Sequence, residues 1–179
     1  GAAFSDLTFG GGTPLLLSVP LLRRVFNIAR KYFHFISDAV PVVVETSPNQ
    51  TTWEKLSVLK EEGVSRISIG VQSFQEKELA ALHRFHNVDS AKQALHLIRQ
   101  MDFECTNIDL IYGIPGQTME SLSDSLKQAL TFEPEEIFIY PLYVKPDTYL
   151  CREGVRRPEG TLQMYRYVRD YLKKAGYHP

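Results

Sequence analysis

Several short stretches of this sequence put polar or glycine residues at the end of a β-rich run. In "FGGGTP", residues 9–14, three glycines precede Thr13 and Pro14. Such a run lets a ligand approach bare backbone, whose N–H and C=O groups can hold an ammonium or a carboxylate; it also makes a tight turn that only glycine takes. It is no dinucleotide fingerprint, since GxGxxG would need glycine at Leu15, and it lacks the lysine of a P-loop. "CTNIDLIYGIPGQT", residues 105–118, carries Asn107 and Asp109 inside an apolar run. A carboxylate there can accept from two vicinal hydroxyls, as on a ribose, and Gln72 at the end of "SRISIGVQ" can donate or accept in the same task. The competing reading of Asp109 is a structural carboxylate satisfied by its neighbours. Glu45 ends a valine-rich run, and must either meet a cation or swing out to solvent. Arg84, in "LHRFH", can be that cation, can grip a ligand carboxylate through its planar fork, or can be an exposed helical arginine. His83 and His86 can share a helix face, but no third ligand stands near them and no metal site is assigned. Cys105 reads as a core thiol and Cys151 as an incidental loop thiol; far apart and without CxxC spacing, they indicate neither a disulfide framework nor a metal knuckle.

These residues need elements to hold them. Five β-rich runs recur, at 5–9, 40–46, 65–71, 105–111 and 135–142, and a helix-period segment follows each. Ser18 and Pro20 open the first helix, with Leu21, Val25, Ile28 and Tyr32 on one face. Thr51 and Glu54 form a capping-box pattern for the second, which Gly63 closes. Asp89 caps the third, and Leu122, Leu126 and Leu130 stripe the fourth. Leu162, Tyr165, Val168 and Leu172 stripe the last, which Gly176 stops, and residues 145–160 read as a long polar loop. Alternating strand and helix implies a parallel α/β sheet, either an open doubly wound one or a barrel-like wall. The alternation within strands chooses. Ile67, Ile69 and Val71 share one face of their run, and Arg66, Ser68, Gly70 and Gln72 the other. Ile108, Leu110 and Tyr112 likewise stand opposite Asn107, Asp109 and Ile111. Polar faces on neighbouring parallel strands line a cavity, which favours an incomplete (β/α) barrel with a wet lumen. The site then belongs at the strands' C-terminal ends.

Composition sets the bounds. At 179 residues and 44% hydrophobic, the chain suits one domain. Charges of 20 basic and 21 acidic residues, without a basic block, argue against nucleic acid or an anionic membrane surface as partner. No apolar run nears the roughly 20 residues of a membrane span, and the first residues lack a secretory pattern, so a cytoplasmic location is expected.

Taken together, "FGGGTP", "VETSP", "RISIGVQSF", "LHRFH", "NIDLIYGIPGQT" and "IYPLYV" resemble the radical S-adenosylmethionine enzymes of the oxygen-independent coproporphyrinogen III oxidase group, which includes heme-chaperone relatives. The resemblance runs over nearly the whole chain in order. It implies an incomplete six-stranded barrel, a partial TIM barrel of which the five runs would be the second to sixth strands. It implies that Gly11, Gly12 and Thr13 hold the methionine amino group of S-adenosylmethionine, that Arg84 meets its carboxylate with Glu45 nearby, that Gln72 and Asp109 take the ribose hydroxyls, and that Ile111 and Tyr143 border the adenine. The role of Tyr143 rests on the resemblance alone. The family's CxxxCxxC motif, which holds a 4Fe–4S cluster, has no counterpart in this sequence. Residues 1–179 are therefore expected to be a radical S-adenosylmethionine core lacking the N-terminal cluster-binding strand and loop and the C-terminal domain, and inactive alone. The implied activity of the parent protein is reductive cleavage of S-adenosylmethionine to a 5′-deoxyadenosyl radical that acts on a porphyrin-type substrate. A tetrapyrrole and a reductant protein would be its partners. The alternative is a heme-binding or heme-delivery chaperone without oxidase turnover.

Overall fold

A computed structural model describes residues 4–33, 40–155 and 160–178, the side chain of Tyr149 excepted. Five strands, β1 (Leu7–Phe9), β2 (Val42–Thr46), β3 (Arg66–Gln72), β4 (Cys105–Tyr112) and β5 (Glu136–Pro141), form one sheet in the order β1-β2-β3-β4-β5. Every pairing is parallel. Sequential order means each crossover steps the same way, so right-handed connections place the helices on one face and leave the other open. That is the wall of an incomplete barrel rather than a doubly wound sheet, as the strand alternation predicts.

The helices between strands are α1 (Val19–Phe33), α2 (Trp53–Glu61), α3 (Glu76–Ala81), α4 (Val88–Met101) and α5 (Met119–Leu130); α6 (Tyr149–Arg152) and α7 (Thr161–Lys174) follow β5. Val42, Val44, Ile67, Ile69, Val71, Ile108 and Leu110 point from the sheet into a core that Phe26, Leu59, Leu95, Leu126 and Val168 close from the helix side. These strand residues are almost wholly removed from water, each worth about 1.5–3 kcal/mol relative to exposure.

Several local expectations are corrected. On α1, the buried residues are Leu22, Phe26 and Ala29, while Leu21, Ile28 and Tyr32 are exposed. Phe26 meets Phe9 of β1 with ring centroids 4.7 Å apart, which turns that stripe inward. Thr52, not Thr51, caps α2 by accepting from the Lys55 N–H; Thr51 is buried and donates to the Ser47 carbonyl. Asn87, not Asp89, caps α4, in a reciprocal box with Ser90. On α7, Leu162 and Tyr165 are exposed, and Thr161, Met164 and Val168 are buried. The polar stretch after β5 contains α6, and residues 156–159 of it lie outside the described residues.

Candidate functional site

The strands' C-terminal ends gather a cleft of about 240 Å³ lined by Gly11, Gly12, Thr13, Glu45, Thr46, Ser47, Gly70, Gln72, Arg84 and Asp109. β1 delivers the glycine turn, which runs into a short 3-10 turn at Pro14–Leu16. β2 delivers Glu45, whose Oε2 accepts from the Gly11 N–H at 3.3 Å. The carboxylate fits only because residue 10 is glycine: a Cβ there would stand 2.7 Å from the Glu45 Cδ. β3 ends in a bulge at Gly70/Gln72, and Gln72 holds a left-handed φ of 71°. That conformation costs a non-glycine residue about 1–3 kcal/mol, and such strain concentrates at ligand sites. It folds the Gln72 side chain back over Gly70, where a Cβ would lie 2.6 Å from the Gln72 Nε2.

β4 delivers Asp109, whose register partner on β3 is Gly70. Its Oδ1 accepts from Asn107 Nδ2 at 2.7 Å and its Oδ2 from Ser68 Oγ at 3.3 Å. Asn107 Nδ2 also donates to Ser68 Oγ at 2.7 Å, closing a three-residue chain on the lumen face. Burial pushes the Asp109 carboxyl above its ordinary range; the hydrogen bonds from Asn107 and Ser68 pull it back, and the charge of Glu45 adds to the rise. Two carboxylates on one cleft favour a ligand with hydroxyl or cationic donors. Arg84 brings a guanidinium to the opposite requirement, a ligand carboxylate. Desolvation lowers its pKa, but an arginine stays charged at any physiological pH.

The remaining predicted positions fall elsewhere. Ile111 is half-buried on β4, and Tyr143 is 74% exposed after β5; neither lines the cleft. His83 and His86 are not on a helix: both follow α3, and His86 is buried with its Nε2 3.0 Å from the Val71 carbonyl. Cys105 is half-buried rather than core, at the N-terminal end of β4, and burial raises its pKa despite a nearby Arg66. Among the described residues no group of three His, Cys, Asp or Glu side chains is placed to hold a metal. A larger groove of about 1000 Å³ runs between β5 and α7, but it collects none of the candidate ligand-binding residues. For Ser68 and Asn107, which orient Asp109, the polar face of each strand run is the one signal the sequence carries.

A family description, "Radical SAM superfamily", matches residues 3–129, and the chain belongs to that family. The chain is 33% identical over 175 residues to the heme chaperone HemW of Bacillus subtilis, covering 94% of this chain and 46% of that protein. It is 29% identical over 182 residues to the oxygen-independent coproporphyrinogen III oxidase of Escherichia coli, covering 99% of this chain and 40% of the oxidase. The solved structure of coproporphyrinogen III oxidase (HemN) from Escherichia coli, described as a radical SAM enzyme, superposes with a TM-score of 0.86 at 28% identity, over 97% of this chain and 41% of that one. The chain thus spans less than half the length of these relatives.

Family membership implies S-adenosylmethionine and a 4Fe–4S cluster. The cleft fits the first: Gly10 and Gly70 leave the space in which Glu45 and Gln72 aim their side chains, and hydroxyl acceptors and a guanidinium line the same opening. The cluster does not fit this chain's donors. Its two cysteines cannot supply three thiolates, and Cys105 sits at the end of β4 away from the cleft. A cluster held by three cysteine thiolates would need ligands that these 179 residues do not contain.

Proposed function

We propose that this chain is the S-adenosylmethionine-binding core of a radical enzyme acting on a porphyrin-type substrate, the coproporphyrinogen III oxidase-like reading. The observation that carries it is the convergence of Gly11, Gly12, Thr13, Glu45, Gln72, Arg84 and Asp109 on one cleft. In this reading Arg84 pairs with the methionine carboxylate. The glycine turn and Thr13 hold the amino group, with the Glu45 charge alongside. Asp109, kept in place by Asn107 and Ser68, accepts from the ribose hydroxyls, and Gln72 shares that contact. Ile111, on the Asp109 face of β4, and Tyr143, just past β5, border the adenine. A reduced cluster supplied from elsewhere in the parent protein gives the bound cofactor its radical chemistry; this chain contributes binding and orientation. A reductant protein and a tetrapyrrole are the partners we assign, and the cytoplasm, which keeps thiols reduced, is the compartment.

A second reading, heme delivery without oxidase turnover, rests on identities of 31–34% over 174–184 residues to four heme chaperones, beside 27–32% over 152–182 residues to four of the oxidases. One pair of measurements on the full-length protein, with its cluster reconstituted anaerobically and a reductant added, separates the two. Release of 5′-deoxyadenosine with decarboxylation of coproporphyrinogen III is expected for the enzyme, and both are lost in Asp109→Ala. Stoichiometric heme binding with no decarboxylation would reject the oxidase reading and leave the chaperone.

A further inference from the structure

Glu78 on α3 is a carboxylate only 3% exposed, and the groups that donate to it are neutral. Its Oε2 accepts from Ser73 Oγ at 2.6 Å and Gln117 Nε2 at 3.0 Å, and its Oε1 accepts from Ser121 Oγ at 2.5 Å. Burying a charge on neutral donors is costly, so the arrangement calls for a reason.

What the donors have in common is where their chain segments lead. Ser73 directly follows Gln72, and its hydroxyl also accepts from the Gln75 N–H at 3.0 Å, fixing the turn that leaves β3. Gln117 Oε1 accepts from the N–H groups of Gly113 and Ile114 at 2.7 and 3.4 Å, while its Nε2 donates to the Ile111 carbonyl at 3.3 Å as well. It therefore clamps the segment that follows Asp109. Ser121 belongs to the capping box that starts α5. α3 itself leads to Arg84, whose N–H donates to the Leu79 carbonyl at 3.0 Å. Three ligand-facing positions, Gln72, Asp109 and Arg84, thus depend on segments tied to one carboxylate that does not line the cleft. Among the described residues no donor to Glu78 belongs to the glycine turn.

We infer that Glu78 and Gln117 are a positioning pair that sets the Gln72, Asp109 and Arg84 side of the cleft for an adenosyl amino-acid ligand without touching it. The inference rests on the cofactor reading above. Its test is amide-resolved NMR on the full-length protein, titrated into the millimolar range with S-adenosylhomocysteine, which carries the same ribose and amino-acid carboxylate. In Glu78→Ala, binding weakens about tenfold or more, the cost of releasing several aligned contacts. The ligand-induced shifts at Gln72 and Arg84 shrink while those at Gly11 and Gly12 persist. Glu78→Gln restores binding to within about threefold: one oxygen still accepts from Ser73 and Gln117, and the Ser121 hydroxyl can accept from the new amide. Gln117→Ala repeats the Glu78→Ala pattern with the carboxylate intact, and decides the matter if Glu78→Ala does not fold.

Folded variants that bind within twofold of the unsubstituted chain overturn the positioning role and leave the cofactor reading standing. So does a loss that strikes the Gly11 and Gly12 responses equally, which marks general disruption. No response by the unsubstituted full-length protein overturns the cofactor reading, and the pair's role with it.

Discussion

Replacing Gly70 with alanine removes the space into which Gln72 folds its side chain. The added Cβ would stand 2.6 Å from the Gln72 Nε2 and 3.8 Å from both the Gln72 Cδ and the Thr46 carbonyl oxygen. Non-bonded heavy atoms settle near 3.5–4.0 Å, so the amide must retreat by about 1 Å. The obstacle is the tip of a flexible side chain rather than backbone, and Gly70 is not among the positive-φ residues, so alanine is tolerated there by the strand. Lower unfolded-state entropy contributes about 0.4–1 kcal/mol in favour of the variant. An off-rotamer Gln72 costs about 0.5–1.5 kcal/mol. The two nearly cancel, and the melting midpoint should move by no more than about 2–4 °C. Ligand binding has no such compensation. Losing one neutral hydrogen bond of about 0.5–1.5 kcal/mol weakens S-adenosylhomocysteine about two- to twelvefold. Thermal melts and NMR titration of the paired proteins measure both quantities. An unchanged affinity with an unchanged melt would remove Gln72 from the list of ligand contacts. A drop of several kcal/mol in stability would refute the steric argument itself, since it would mean the amide has nowhere to go.

Two further outcomes follow from the electrostatics of the cleft. Because burial raises the Asp109 pKa in the folded state, the native form binds that proton more tightly than the unfolded chain. Its stabilising effect is complete below the unfolded pKa and is lost as pH rises through the folded one. Asp109→Asn, neutral throughout, should therefore gain stability relative to the parent as pH climbs from the acid side through the carboxylate range; a difference in denaturation midpoint that stays flat with pH would contradict this. Arg84→Ala should weaken S-adenosylhomocysteine about tenfold or more, the worth of a charge-assisted contact, while leaving 5′-methylthioadenosine, which has no carboxylate, within twofold. Equal losses for the two ligands would take the carboxylate away from Arg84.

The strands and the cleft were legible in the sequence for the same reason. Period-2 alternation separates Ile67, Ile69 and Val71 from Ser68, Gly70 and Gln72 without reference to any neighbour, and a parallel sheet then dictates which end is open. Helix faces were less legible. α1 carries two apolar stripes, Leu21 with Val25, Ile28 and Tyr32, and Leu22 with Phe26 and Ala29, and periodicity alone cannot say which meets the sheet. Phe9, on a strand with only three residues, decides it by packing on Phe26. Caps were misplaced by one or two residues because Thr51 and Thr52, or Asn87 and Asp89, are chemically interchangeable at a helix start; only tertiary demands on Thr51, held by Thr46 and Ser47, separate the first pair.

The deeper omission is Glu78, and it shows where sequence reading stops. Within "EKELAAL" nothing local distinguishes Glu78 from Glu76. In the fold the two differ completely: Glu76 is exposed and accepts from the Val88 N–H, whereas Glu78 is buried under Gln117, 39 residues further along the chain. The positive φ of Gln72 belongs to the same class of feature, since a non-glycine residue takes that conformation only when its surroundings enforce it. Groups that would touch a ligand must have recognisable chemistry at strand ends, and so leave a local signature. Groups that hold those strand ends in place are specified by contacts between distant segments, and a local pattern carries no record of them.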